Sequence, residues 1–154
     1  SEGMTDWKDN LIDDAAGLSD LLHSTRRIAV LGIRSERFPE RPAHFVPAYL
    51  AAAGFEVIPV PVYEPDVTSI LGKPVFRKLG DVPGEIDLVD VFRRAEHLML
   101  HLDDILATRP KAVWLQSGMF HSEFVERLAR AGIKVVEDRC LMVEHRRLAA
   151  PRLL

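Results

Sequence analysis

Cysteine occurs once in the 154 residues, as Cys140. A lone thiol excludes an intramolecular disulfide and any multi-cysteine zinc or iron–sulfur site, and it suits a reducing, cytoplasmic setting. Positive charge is not in excess. The formal net charge is −3, which disfavours a nonspecific electrostatic grip on nucleic acid or on an acidic membrane surface. Apolar runs stay short of the ~20 residues that cross a bilayer, and no charged-then-apolar leader precedes the first helical segment. Glycine signatures for nucleotide loops are also missing. Gly72-Lys73-Pro74 does not complete G-x-x-x-x-G-K-[ST], and a G-x-G-x-x-G run from Gly32 needs glycine at 34 and 37, where Arg34 and Arg37 stand.

What is present begins with Arg27-Ile28-Ala29-Val30-Leu31-Gly32. A short apolar, β-branched run that stops at glycine reads as a strand covered on both faces. Arg34, Arg37 and Arg41 follow within eight residues, partly offset by Glu36 and Glu40, and then a helix starts. Free N–H groups and the positive dipole end of that helix point at whatever lies over the strand's end, so the unit suits an anion, and a phosphorylated ligand in particular.

The pattern continues as alternating helices and strands. Leu11, Ala15, Leu18 and Leu22 predict an N-terminal amphipathic helix of about 18 residues after Met4. Strands are expected near 27–31, 55–60, 86–92, 112–115 and 134–137, and helices over 44–53, 94–108 and 122–131. Gly54 and Gly132 end two of these helices in the same helix, glycine, strand grammar. Residues 61–85 are rich in Pro and Gly and read as a loop with a helical turn near Phe76 to Leu79. Such alternation implies right-handed crossovers and one doubly wound, parallel, five-stranded α/β sheet with an extra N-terminal helix. Ligands of such sheets lie beyond the strand carboxyl ends, where strand order reverses. Ser1-Glu2-Gly3 before Met4 reads as a tag remnant, and a single domain is expected over 4–154.

Five pieces in order, Gly32-Ile33-Arg34-Ser35, Glu40-Arg41-Pro42-Ala43-His44, Val89-Asp90-Val91-Phe92-Arg93, Trp114-Leu115-Gln116-Ser117-Gly118 and Asp138-Arg139-Cys140, resemble the small prokaryotic CoA-binding proteins. That family is similar to the amino-terminal CoA-binding domain of the succinyl-CoA synthetase alpha subunit. The resemblance implies a Rossmann-like fold with coenzyme A as its cofactor. Gly32, Ile33, Arg34 and Ser35 would follow the pyrophosphate, Arg41 would pair with a phosphate, and His44 would reach the ligand from the helix start. Val60 and Pro61 would pass its adenine or pantetheine arm, with Val91, Phe92 and Arg93 alongside. Gln116, Ser117 and Gly118 would lie near the pantetheine end. The family usually reads Val-Asn-Pro where Val60-Pro61-Val62 stand here, so an Asn contact is lost.

Other residues carry less. His97, His101 and Asp104 share a helix flank but do not make H-E-x-x-H, and no metal site is expected. Ser117 lacks the G-x-S-x-G elbow. His121 suits a capping role, Asp138 and Arg139 an ion pair, and Cys140 a small, mostly buried side chain. The favoured reading is a stand-alone module for CoA or acyl-CoA without chemistry of its own. The alternative is an enzyme, a small NAD(P)-linked oxidoreductase or a CoA-thiol redox protein acting through Cys140. Neither nucleic acid nor membrane is an expected partner. A homodimer or partner protein is suggested only by apolar residues of the tail, Leu148 to Leu154.

Overall fold

The computed structural model describes residues 6–149. Its centre is a parallel sheet of β1 (Arg27–Leu31), β2 (Glu56–Val60), β5 (Leu88–Val91), β6 (Ala112–Leu115) and β7 (Lys134–Val136), in the order β2-β1-β5-β6-β7. A two-residue pair, β3 (Ser69–Ile70) with β4 (Lys73–Pro74), lies in the long loop after β2. Helices α1 (Ala15–His23), α2 (Pro42–Ala52) and α5 (Leu141–Ala149) pack with Ile28, Val30, Leu88 and Trp114 on one face. On the other, α3 (Leu102–Thr108) and α4 (Ser122–Arg130) pack with Ala29, Val89, Val91 and Val113. Burial on both faces is why the strands read as continuous apolar runs. Pro59 is tolerated inside β2 because β2 is an edge strand.

The expected fold class is observed, with four local corrections. The N-terminal helix is shorter than its periodicity predicts. Asp14 caps α1 by accepting from the Gly17 N–H at 2.6 Å, while Leu11 forms a parallel bridge to Val135 on the free edge of β7. The helix expected over 94–108 is a 3-10 turn, Ala95–His101, running into α3. The turn expected at Phe76 to Leu79 is instead a 3-10 segment at Leu79–Asp81, held by Asp104, which accepts from the N–H groups of Leu79 and Gly80.

Helix α5 has no counterpart in the sequence reading. Its inward face carries the buried Glu144, paired with Arg139 and Arg147, so the apolar period is interrupted by charge. Leu148 is half-buried against the core. Residues 150–154 of the apolar tail and the tag remnant lie outside the described residues.

Candidate ligand-binding site

Gly32 closes β1 at φ +90°. Its N–H donates to the Val60 carbonyl at 2.9 Å. A Cβ there would stand 2.1 Å from the Phe92 carbonyl oxygen, so only glycine lets the chain segments after β1, β2 and β5 meet this closely. Two turns lead from Ser35 to α2, with the Phe38 N–H donating to the Ser35 carbonyl and the Arg41 N–H to the Phe38 carbonyl. Pro42 opens α2, and the N-cap Arg41 makes no side-chain cap bond. The positive end of an 11-residue helix therefore faces outward without an internal cap.

Over the carboxyl ends of the central strands lies a cleft of about 1000 Å³, lined in part by Arg34, Arg41, Arg93 and Arg94. It sits at the point between β1 and β5 where the strand order reverses, where sheets of this kind hold their ligands.

Two aromatic rings hold three of these cations. Arg34 stacks on Phe38 at 4.0 Å, and Arg41 lies over the same ring at 4.8 Å. Arg34 and Arg93 also lie over Tyr63, at 5.3 and 5.5 Å. Arg93 donates to the Tyr63 hydroxyl at 3.2 Å, and through Nε to His101 Nε2 at 3.0 Å. Burial first, and the Arg93 charge second, hold the His101 imidazole below its ordinary pKa, which suits it to accept from a guanidinium. Stacking of this kind fixes a guanidinium plane, and the N–H groups not given to Glu64, Tyr63 and His101 can meet an anion.

The sequence-predicted residues divide. Gly32, Arg34, Arg41, Phe92, Arg93, Gln116 and Ser117 line the cleft. Ile33, Val60 and Val91 are core side chains, so any contact they make with a ligand runs through their backbone. Pro61 is buried. His44 is buried behind the loop, its Nδ1 hydrogen-bonded to the Arg34 carbonyl at 3.0 Å. Ser35 gives both its N–H and its hydroxyl to Glu64. Gly118 donates to Asp138 at 2.7 Å and does not line the cleft.

Several partner assignments change. Arg34 and Arg37 pair with Glu64 and Asp66 from the loop after β2 and not with Glu36 and Glu40. Glu36 accepts instead from the Leu71 N–H at 2.8 Å. Asp138 holds the Gly118 N–H, while Arg139 pairs with Glu144 and donates to the Asp13 carbonyl, so the expected Asp138–Arg139 pair is absent. His121 does cap α4, accepting from the Phe124 N–H at 3.1 Å. Cys140 is half-buried, packed against the core, and also lines the cleft. Phe38, Tyr63, Met142 and Val143 are lining residues that sequence reasoning missed. An aromatic residue inside an arginine cluster was the one available signal, at Phe38.

This is the architecture of a doubly wound nucleotide-type domain, with a basic cleft at its switch point. The model of the CoA binding domain family matches residues 26–146, and the chain belongs to that family. It is 35% identical over 130 residues to the uncharacterized protein YneT of Bacillus subtilis, spanning 84% of this chain and 93% of that one. A solved Thermus thermophilus protein, cell-free ID.343, is 45% identical with TM-score 0.81, covering 88% of this chain and 99% of the other. PH1109 redesigned for binding is 27% identical with TM-score 0.82, over 92% and 96%. A dinucleotide-forming acetyl-coenzyme A synthetase of Ca. Korarchaeum cryptofilum shares the fold at 20% identity and TM-score 0.66. The match covers 78% of this chain and 27% of the synthetase. No helix among the described residues is long and apolar enough to cross a membrane.

Proposed function

We propose that the chain is a stand-alone binding module for coenzyme A or its thioesters and performs no chemistry itself. The observation that carries this reading is the convergence of Arg34, Arg41 and Arg93 with the uncapped start of α2 on one switch-point cleft, in a member of the CoA-binding domain family. CoA carries a pyrophosphate and a 3′-phosphate, and both need cations and amide donors. The pantetheine arm then runs toward Gln116 and Ser117. The lining residues include no carboxylate and no histidine, so the commonest acid–base groups do not border the ligand, and the titratable side chains that do, apart from the arginines, are Tyr63 and Cys140. A cytoplasmic setting agrees with the single thiol.

The test is thermal unfolding with CoA or NAD. At 100 times its dissociation constant CoA adds about 2.7 kcal/mol, which raises the melting temperature by roughly 5–11 °C for a domain of this size. NAD gives a much smaller rise at the same concentration. Arg41→Ala weakens CoA more than it weakens pantetheine, which lacks the phosphates. A rise with NAD and none with CoA overturns the reading in favour of a nicotinamide-linked enzyme.

A further inference from the structure

The cleft is divided by strand. Its cations come from the segments after β1 and β5, as Arg34, Arg41, Arg93 and Arg94. The segments after β6 and β7 contribute Met119, Cys140, Met142 and Val143, which carry no charge. The one polar pair on that side is Gln116 and Ser117, and Gln116 already accepts the Leu141 N–H through Oε1 at 3.1 Å. Phe45 of α2 is a further apolar lining residue. It and Val143 are 38% and 49% exposed, large lining side chains left open to water.

An arm rich in amides finds partners as far as Gln116 and Ser117, and beyond them the wall offers only hydrocarbon, thioether and thiol. Hydrocarbon left exposed inside a ligand cleft gains by covering, at about 25 cal/mol per Å² of apolar surface. Methionine side chains adapt to chains of varied shape. A free thiol end does not cover this wall, and no cation lines it to pair with a carboxylate; Arg146 donates to Met142 Sδ at 3.7 Å but is not a lining residue.

We propose that the β6–β7 side of the cleft seats the acyl group of a thioester, so that the ligand is an acyl-CoA with an uncharged, apolar acyl chain. The inference rests on the CoA reading and extends it to the acyl end. Continuity with the basic half fixes the occupant, because the same molecule must be anionic at one end and apolar at the other.

Titration calorimetry with CoA, butyryl-CoA and succinyl-CoA tests it. Each buried methylene tightens binding by about fourfold, so butyryl-CoA binds at least about tenfold tighter than CoA. Succinyl-CoA gains nothing over CoA. Val143→Asp, at a half-exposed position, brings the butyryl-CoA to CoA ratio close to one, and Met142→Gln lowers the same ratio should the first variant fold poorly. Equal affinity for CoA and butyryl-CoA overturns the acyl seat while leaving the CoA reading intact. So does a preference for succinyl-CoA, or a ratio unmoved by both variants. Failure of CoA and both thioesters to bind overturns both.

Discussion

Both carboxylate oxygens of Glu64 are committed to Ser35, Oε1 accepting from its hydroxyl at 2.5 Å and Oε2 from its backbone N–H at 3.0 Å. Oε2 also accepts from Arg34 Nε at 3.3 Å. A protein carboxylate thus occupies the donors that open the loop after β1, and it locks that loop to the one after β2. Glu64 does so from a left-handed backbone position, φ +58°, which costs a non-glycine residue roughly 1–3 kcal/mol.

Removing this carboxylate strands buried donors. Glu64→Ala is expected to destabilise the fold by about 1–3 kcal/mol, the cost of unpaired buried polar groups, since alanine keeps the Cβ and so leaves the backbone strain in place. Burial pushes the Glu64 carboxyl up, but the Ser35 hydroxyl, the Ser35 amide and Arg34 outweigh it and hold it below its ordinary pKa. A depressed carboxyl stabilises the fold above its unfolded-state pKa, and the contribution is lost as pH falls through the folded value. The gap between wild type and Glu64→Ala in urea unfolding is therefore wide at neutral pH and closes in acid. A gap that stays constant would remove Glu64 from this role.

Gly32 offers a second test, because two costs coincide there. Alanine would adopt a left-handed backbone and drive its Cβ onto the Phe92 carbonyl. The expected loss is roughly 2–5 kcal/mol, strain and overpacking together. Gly54→Ala isolates the first cost, since Gly54 also has positive φ but nothing lies within 4 Å of a Cβ there. That control is expected to lose about 1 kcal/mol. Equal losses in the two variants by denaturant unfolding would mean that the Gly32–Phe92 approach is not a constraint.

The sheet was legible because its residues answer to local pattern. Ile28 to Leu31, Val57 to Val60 and Ala112 to Leu115 are apolar on both faces, and Gly54 and Gly132 mark the helix ends that feed the next strands. What escaped was set by distant partners. Glu64 meets Ser35 across 29 residues, and Tyr63 meets Arg93 across 30. No periodicity encodes a loop folding over another loop. Helix α5 escaped for a different reason, since Glu144 is buried by pairing with two arginines and so reads in the sequence as a solvent residue. In the cleft, the arginines could be read from their clustering. The rings of Phe38 and Tyr63 that orient them could not, because stacking depends on where the two loops meet.

Asp90 presents the opposite electrostatic case to Glu64. It lies in the middle of the sheet, flanked by Val30 and Trp114 on the neighbouring strands. It is fully buried, and neither carboxyl oxygen has a hydrogen-bond partner among the described residues. Burial alone pushes its pKa well above the ordinary carboxylate value, so folding favours the protonated acid. The unfolded chain releases that proton at ordinary carboxylate pH. Stability is then fully present below the unfolded pKa and declines as pH rises toward the folded value, at a limiting slope of about 1.4 kcal/mol per pH unit. Asp90→Asn has no proton to hold and loses this slope. Urea unfolding across mildly acidic to neutral pH is expected to show the variant gaining on wild type with each step upward. Parallel curves would mean that Asp90 ionises in the folded protein as it does in the unfolded chain, and that a partner for its charge exists within the sheet.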